Sequence, residues 1–145
     1  MRVYKQFSLE GANFRIGSSH VQPIKAEIKK QRSILIEYIK RQPQFLDALE
    51  PVQLLCNPPQ IVKEMDFASR KVGIGPMASV AGIMAQFAAQ AGLAAGATEA
   101  IVENGGDIYL HSKEEVVIGI YAKASSLSGK LAFLLQPSQM PISIC

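Results

Sequence analysis

Two glycine-containing segments of the chain combine a permissive backbone with groups that could bind a ligand. The first covers residues 73–78 and reads Gly-Ile-Gly-Pro-Met-Ala. Glycine allows tight turns, and the unpaired N–H groups at a helix start carry positive partial charge, so an anion could bind there. The segment lacks the Lys-Ser/Thr pair of a P-loop and the glycine spacing of a dinucleotide-binding turn. An ordinary helix start and an anion site both remain open.

The second segment covers residues 103–107 and reads Glu-Asn-Gly-Gly-Asp between two apolar runs. Asn-Gly between apolar runs is typical of a tight hairpin turn. Paired glycines also let a ligand approach the backbone closely. The carboxylates of Glu103 and Asp107 could hold a hard cation such as Mg²⁺ through their oxygens. A hairpin turn and a ligand pocket are therefore both compatible with these residues.

The remaining reactive residues indicate no further chemistry. His20 and His111 are the only histidines, and neither lies beside a recognisable Ser or Cys elbow. Cys56 and Cys145 are the only thiols, which excludes a disulfide framework and a four-thiolate metal site and favours a reducing compartment.

Composition limits the class of protein. The chain has 145 residues, of which 48% are apolar, and a net charge of +3. At roughly 100–200 residues per domain, this length corresponds to one domain. The charge is too small for a nucleic-acid-binding arm or a polybasic membrane tail, and the first residues lack the apolar segment of a signal peptide. We expect a cytoplasmic protein with neither nucleic-acid nor membrane partners.

The N-terminal half predicts a hairpin followed by helices. Alternating apolar and polar residues predict strands over residues 2–9 and 14–17, with a turn at 11–13. Apolar spacing predicts a helix over 24–39, capped by the serines at 18–19, and a second helix over residues 60–71.

The stretch 72–98 carries no charged residue and is long enough to span a membrane. Its glutamines, Gln86 and Gln90, and its abundant glycine and alanine argue against a span. The pattern instead predicts a buried helix over 76–91, with small residues that let another backbone approach closely. Its larger apolar residues form a predicted core stripe: Val80, Ile83, Met84 and Phe87.

The C-terminal part predicts strands over residues 100–102, 108–110, 116–122 and 130–135. Strands, then helices, then strands without regular alternation are typical of an α+β fold. We therefore expect an antiparallel sheet with helices packed on one face.

Residues 73–82 and 101–110 together resemble the ApbE-like superfamily, and more closely an uncharacterised prokaryotic branch of it. The similarity extends from the first hairpin through residue 129. The resemblance implies a T-fold-like α+β domain over residues 1–145 that lacks the C-terminal part. Characterised members depend on Mg²⁺, bind FAD, and transfer FMN to a threonine or serine of a target protein by attack on the pyrophosphate.

Carried onto this chain, the resemblance implies a set of flavin-binding residues: Gly75, Met77, Ala78, Glu103, Asn104, Gly105, Gly106 and Asp107. It also implies that the Ala78 carbonyl ligates the metal. The superfamily's Asp and Lys in the first motif are Gly73 and Ser79 here, and its C-terminal metal ligands have no counterpart. The resemblance thus predicts binding of FAD or FMN, with Mg²⁺-dependent FMN transfer and a non-catalytic structural or oligomeric role as alternatives.

A homo-oligomer is also expected. If the sheet ends without the strand that relatives would supply, an edge of unpaired backbone groups remains near Leu131, Phe133 and Leu135. A second copy would cover that edge, most simply across a twofold axis.

Overall fold

A computed structural model describes residues 2–145 and shows seven strands and four α-helices. The helices are α1 (Val21–Arg41), α2 (Gln44–Asp47), α3 (Gln60–Arg70) and α4 (Val80–Ala94), and a 3-10 turn at Pro76–Ser79 leads into α4. The strands are β1 (Tyr4–Leu9), β2 (Ala12–Gly17), β3 (Ala100–Asn104), β4 (Asp107–His111), β5 (Val116–Gly119), β6 (Ala132–Leu135) and β7 (Ile142–Ile144).

Five of the strands form one antiparallel sheet in the order β1-β2-β3-β4-β7. Helices α1 and α4 cover one face, where the main apolar core includes Ile16 and Val102. Strands β5 and β6 form a separate two-stranded ribbon, whose Val116 and Leu135 pack with residues such as Leu110 of the other face. The predicted α+β fold, an antiparallel sheet with helices on one face, is confirmed.

Two-residue turns close both hairpins of the main sheet. Glu10 and Gly11 connect β1 to β2 with φ of 45° and 87°, and Gly105 and Gly106 connect β3 to β4 with φ of 63° and 109°. Positive φ at both positions is the geometry that matches the twist of paired strands. The first turn therefore lies one residue before the predicted 11–13, and the second segment is a tight hairpin.

Helix α1 is longer than predicted and begins without a side-chain cap. Its N-cap residue is His20, and no side chain accepts a hydrogen bond from the first turn. The Ser18 hydroxyl oxygen instead accepts a hydrogen bond from the His20 N–H, at 3.2 Å. The predicted serine cap is therefore wrong, because Ser18 is engaged in a turn before the helix.

Helix α4 packs on α1 and on strands β3 and β4. The segment Pro76–Ala94 is long and apolar enough to cross a membrane, with 19 residues and a mean hydropathy of 1.3, yet here it packs on the sheet as predicted. The predicted stripe of large residues is not its most buried part, because Ile83 and Phe87 are only half-buried. The deepest positions are small: Ala85, Ala88, Ala89 and Gly92. Close approach of neighbouring elements leaves room there only for small side chains.

Candidate functional site

The register of the second hairpin decides which side chains of the Glu-Asn-Gly-Gly-Asp segment lie together. Asn104 pairs with Asp107, and Glu103 pairs with Ile108. Directly paired residues share a face, and successive residues alternate. Asn104 and Asp107 therefore lie on the helix-covered face of the sheet, and Glu103 lies on the opposite face.

A cleft of about 350 Å³ opens on the helix-covered face, between the start of α4 and the strands β4 and β7. We call it the helix–sheet cleft. Its lining residues are Ala68, Ala78, Ser79, Gly82, Ile83, Gln86, Asp107, Ile108, Ser143, Ile144 and Cys145. The first glycine-containing segment contributes Ala78, and the second contributes Asp107. The fold thus brings one residue from each predicted segment to the same cleft.

Asp107 contributes the only charged side chain of this lining. A Cβ atom placed on Gly82 would lie 3.9 Å from the Asp107 Oδ1, so the carboxylate faces α4 across the cleft. Within residues 2–145, no group donates a hydrogen bond to this carboxylate and no cation pairs with it. The half-buried carboxylate is an acceptor that a ligand can use.

Asn104 has a positioning role next to the cleft. Its side-chain amide donates a hydrogen bond to the Ala81 carbonyl oxygen, at 3.2 Å. This bond connects the end of β3 to the first turn of α4 and holds the helix against the hairpin that carries Asp107. Asn104 itself lines a different, smaller cavity of about 190 Å³ between α1, α4 and the first hairpin.

The other predicted site residues do not reach the helix–sheet cleft. The Glu103 Oε1 accepts a hydrogen bond from the Gly106 N–H, at 3.0 Å, on the opposite face. Gly105 and Gly106 form the exposed turn, where an added Cβ would meet nothing within 4 Å. Gly75 is buried against the backbone of Ala48, and Met77 packs at the border of the main core.

The donor set of the cleft does not fit a magnesium ion. Mg²⁺ takes oxygen ligands in near-octahedral geometry, commonly one or two carboxylates together with substrate phosphates and water. Glu103 and Asp107 lie on opposite faces of the sheet and cannot hold one cation between them. Among the described residues, no three His, Cys, Asp or Glu side chains lie close enough to form a metal site. Ala78 lines the cleft, but one carboxylate and one carbonyl are too few.

Sequence reasoning missed several lining residues. Gly82 ends the stretch 73–82 that carries the resemblance but was given no role there, and Gln86 counted only as evidence against a membrane span. Ser143 belongs to β7, whose place beside β4 depends on long-range pairing that no local pattern shows. Gly82 could have been recognised from the sequence, because glycine destabilises a helix and therefore needs a packing or binding reason there.

Comparisons with known proteins identify related chains. The family model described as AbpE bacteria matches residues 11–145. Two similar proteins, both named UPF0280 protein, come from Methanothermobacter thermautotrophicus and Methanococcoides burtonii. The first is 44% identical over 115 residues, which cover 79% of this chain and 44% of the relative. The second is 42% identical over 127 residues, which cover 88% and 53%.

A third similar chain, the UPF0280 protein of Archaeoglobus fulgidus, is 39% identical over 118 residues, which cover 81% of this chain and 47% of the relative. The chain therefore spans about half the length of the curated relatives it matches.

Proposed function

The chain belongs to the AbpE bacteria family, and we propose that it shares with the wider ApbE-like superfamily the binding of a flavin nucleotide, FAD or FMN. The proposed site is the helix–sheet cleft. One observation carries the proposal: Ala78 and Asp107, which come from the two segments that resemble the superfamily, line the same cleft.

The form of the cleft supports a small-molecule ligand. Sites for cofactors are concave, mostly apolar, and carry a few polar groups that orient the ligand. The helix–sheet cleft has the apolar Ile83 on the helix side, the backbone of β4 and β7 with the Ser143 side chain on the sheet side, and the carboxylate of Asp107 at one end. Its volume of about 350 Å³ is close to the lower limit of such sites, which run from about 300 to 1,000 Å³.

The proposal is limited to binding. Magnesium-dependent transfer of FMN from FAD, which the resemblance implies, needs a cation that neutralises the pyrophosphate. Since the described residues do not form a magnesium site, we derive no transfer step from them. Transfer activity in a longer relative would need donors beyond those that line this cleft.

Titration of flavin fluorescence tests the proposal. Ala78→Leu would place three more carbon atoms in the cleft at an exposed position, so the fold should persist. We expect FAD and FMN to bind the unaltered protein, and Ala78→Leu to weaken binding at least about tenfold. Ala94→Leu makes the same change at the exposed far end of α4 and should leave affinity unchanged. Absence of flavin binding, or equal affinity in both variants, would contradict the proposal.

A specific observation also favours a second candidate function, as a self-associating subunit. The β5–β6 ribbon has apolar residues on both faces, although one face alone packs on the main sheet. Val117 and Leu134 on its outer face are 64% and 55% exposed, and Phe133 on the inner face is 54% exposed. Strands that are apolar on both faces are typical of two-sided burial. We propose that a second copy of the chain covers the ribbon.

The structure changes one detail of the expected association surface. Leu135 is only 6% exposed, because it packs against the main sheet, so Leu131 and Phe133 remain as the exposed members of the predicted set. Light scattering at micromolar concentration tests self-association. We expect a mass of at least twice 15.7 kDa, and a reduced mass for Leu134→Ser. A monomer of 15.7 kDa would contradict it.

A further inference from the structure

The geometry points to recognition of the flavin by its ring system rather than by its phosphates. The helix–sheet cleft holds the isoalloxazine ring, Asp107 accepts a hydrogen bond from the imide N–H of that ring, and the phosphates stay outside the cleft. This inference rests on the proposed flavin binding and adds which part of the ligand the cleft recognises.

The charge of the cleft excludes a phosphate from it. A phosphate group in a protein is held by Arg or Lys side chains or by several hydrogen-bond donors. No Lys, Arg or His lines the helix–sheet cleft, and its one charged side chain is the carboxylate of Asp107. Two negative groups in a partly buried space repel each other. A phosphorylated ligand would therefore orient its phosphate towards solvent.

The walls of the cleft leave a flat space between helix and sheet. Helix α4 contributes Gly82 and Ile83, and the sheet contributes the backbone of β4 and β7 with the Ser143 side chain, because Ile108 and Ile144 pair with each other on the opposite face. Because Gly82 has no side chain, the helix wall is open opposite Asp107. A planar ring can lie between the helix wall and the strand wall, with the rest of the ligand extending towards solvent.

Polar groups at the cleft match the edge of the ring. An oxidised isoalloxazine has one ring N–H, which lies between two carbonyl groups. Asp107 offers an unpaired acceptor for that N–H, and a hydrogen bond to a carboxylate is stronger than one between neutral groups. Gln86 lines the same cleft and makes no side-chain hydrogen bond to any residue of 2–145. Its amide can donate to a neighbouring ring carbonyl.

Comparison of ligands on the unaltered protein tests the inference without relying on any variant. Calorimetric titrations would use riboflavin, FMN, N3-methylriboflavin and ADP, with no divalent cation present. We expect riboflavin and FMN to bind with affinities within about threefold of each other and ADP to give no binding. N3-methylriboflavin, which lacks the imide N–H, should bind about tenfold or more weakly.

A variant then connects the effect to one side chain. Asp107→Ala should weaken riboflavin about tenfold and remove the difference between riboflavin and its N3-methyl form, because the acceptor is gone. Asp47→Ala, at the exposed end of α2, is the control and should keep both affinities. An unfolding curve shows whether the Asp107 variant folds; if it does not, the ligand comparison decides alone.

Other results would overturn the inference. FMN binding more than tenfold tighter than riboflavin, or binding of ADP, would mean that the protein recognises phosphate. Equal affinity for riboflavin and N3-methylriboflavin would mean that Asp107 does not contact the imide. If riboflavin, FMN and FAD all fail to bind, the proposed flavin binding itself is wrong, and the inference fails with it.

Discussion

The two halves of helix α4 contain glycines with opposite surroundings. At Gly92, near the C-terminal end, an added Cβ would lie 2.8 Å from the Cγ1 and Cδ1 atoms of Ile24 in α1. At Gly82, in the first turn, an added Cβ would meet only the Asp107 Oδ1, at 3.9 Å. Gly92 is required by close packing, whereas Gly82 borders an opening.

The two glycines differ in whether packing requires them. Glycine in a helix interior costs roughly 0.5–1 kcal/mol relative to alanine. At Gly92 the close contact with α1 explains that cost. At Gly82 no packing contact among the described residues does. The proposed flavin site would use this opening beside the Asp107 carboxylate.

The largest expected effect is at Gly75, just before the 3-10 turn that leads into the Gly82 end of α4. Gly75→Ala would place a Cβ atom on the carbonyl oxygen of Ala48, so the backbone itself must move. We expect the free energy of unfolding to fall by about 3 kcal/mol, the upper part of the range for overpacking. Urea denaturation measures it. A loss below about 1 kcal/mol would show that the Gly75 backbone does not pack tightly against the Ala48 carbonyl group.

A smaller loss of stability is expected in the C-terminal half of α4, where Gly92 packs against Ile24. Gly92→Ala forces a shift of the Ile24 side chain, and the gain in helix propensity offsets part of that cost. We expect a net loss of about 1–2 kcal/mol in the free energy of unfolding. Ile24→Ala removes both the Cγ1 and the Cδ1 atoms and should relieve the clash, so the double variant should be more stable than the sum of the single effects predicts. Simple additivity would contradict the assigned contact.

The smallest effect has the opposite sign. Gly82→Ala fits without a clash, so the free energy of unfolding should rise by about 0.5–1 kcal/mol. The same methyl group narrows the cleft and should weaken flavin binding. Thermal unfolding and flavin titration of one sample measure both changes. A less stable Gly82→Ala protein would remove the contrast between the two halves of α4.

Local patterns predicted most of the elements. The 3.6-residue spacing located α1 and α3, and the small residues of the uncharged stretch predicted that α4 packs on the sheet. The face on which each side chain lies depended on register. With a two-residue turn, Asn104 pairs with Asp107, so Asp107 and Glu103 lie on opposite faces. A one-residue change in turn length would reverse that assignment.

Features that depend on distant parts of the chain were not predictable from local pattern. The pairing of β7 with β4 supplies Ser143 and Ile144 to the cleft, and the β5–β6 ribbon lies apart from the main sheet. The full set of residues that line the cleft therefore depends on the strand pairing and could not be predicted from local sequence.

Amide chemical-shift mapping with FMN tests the central claim most directly, because it reports separately on the backbone amide of each residue that lines the cleft. If the helix–sheet cleft binds the flavin, the largest shifts should occur at Ala78, Gly82 and Asp107. The amides of Gly11 and Gly92, which lie outside the cleft, should change little. Saturable shifts at the cleft residues would support the account. No shifts at any FMN concentration, or shifts confined to residues outside the cleft, would contradict it.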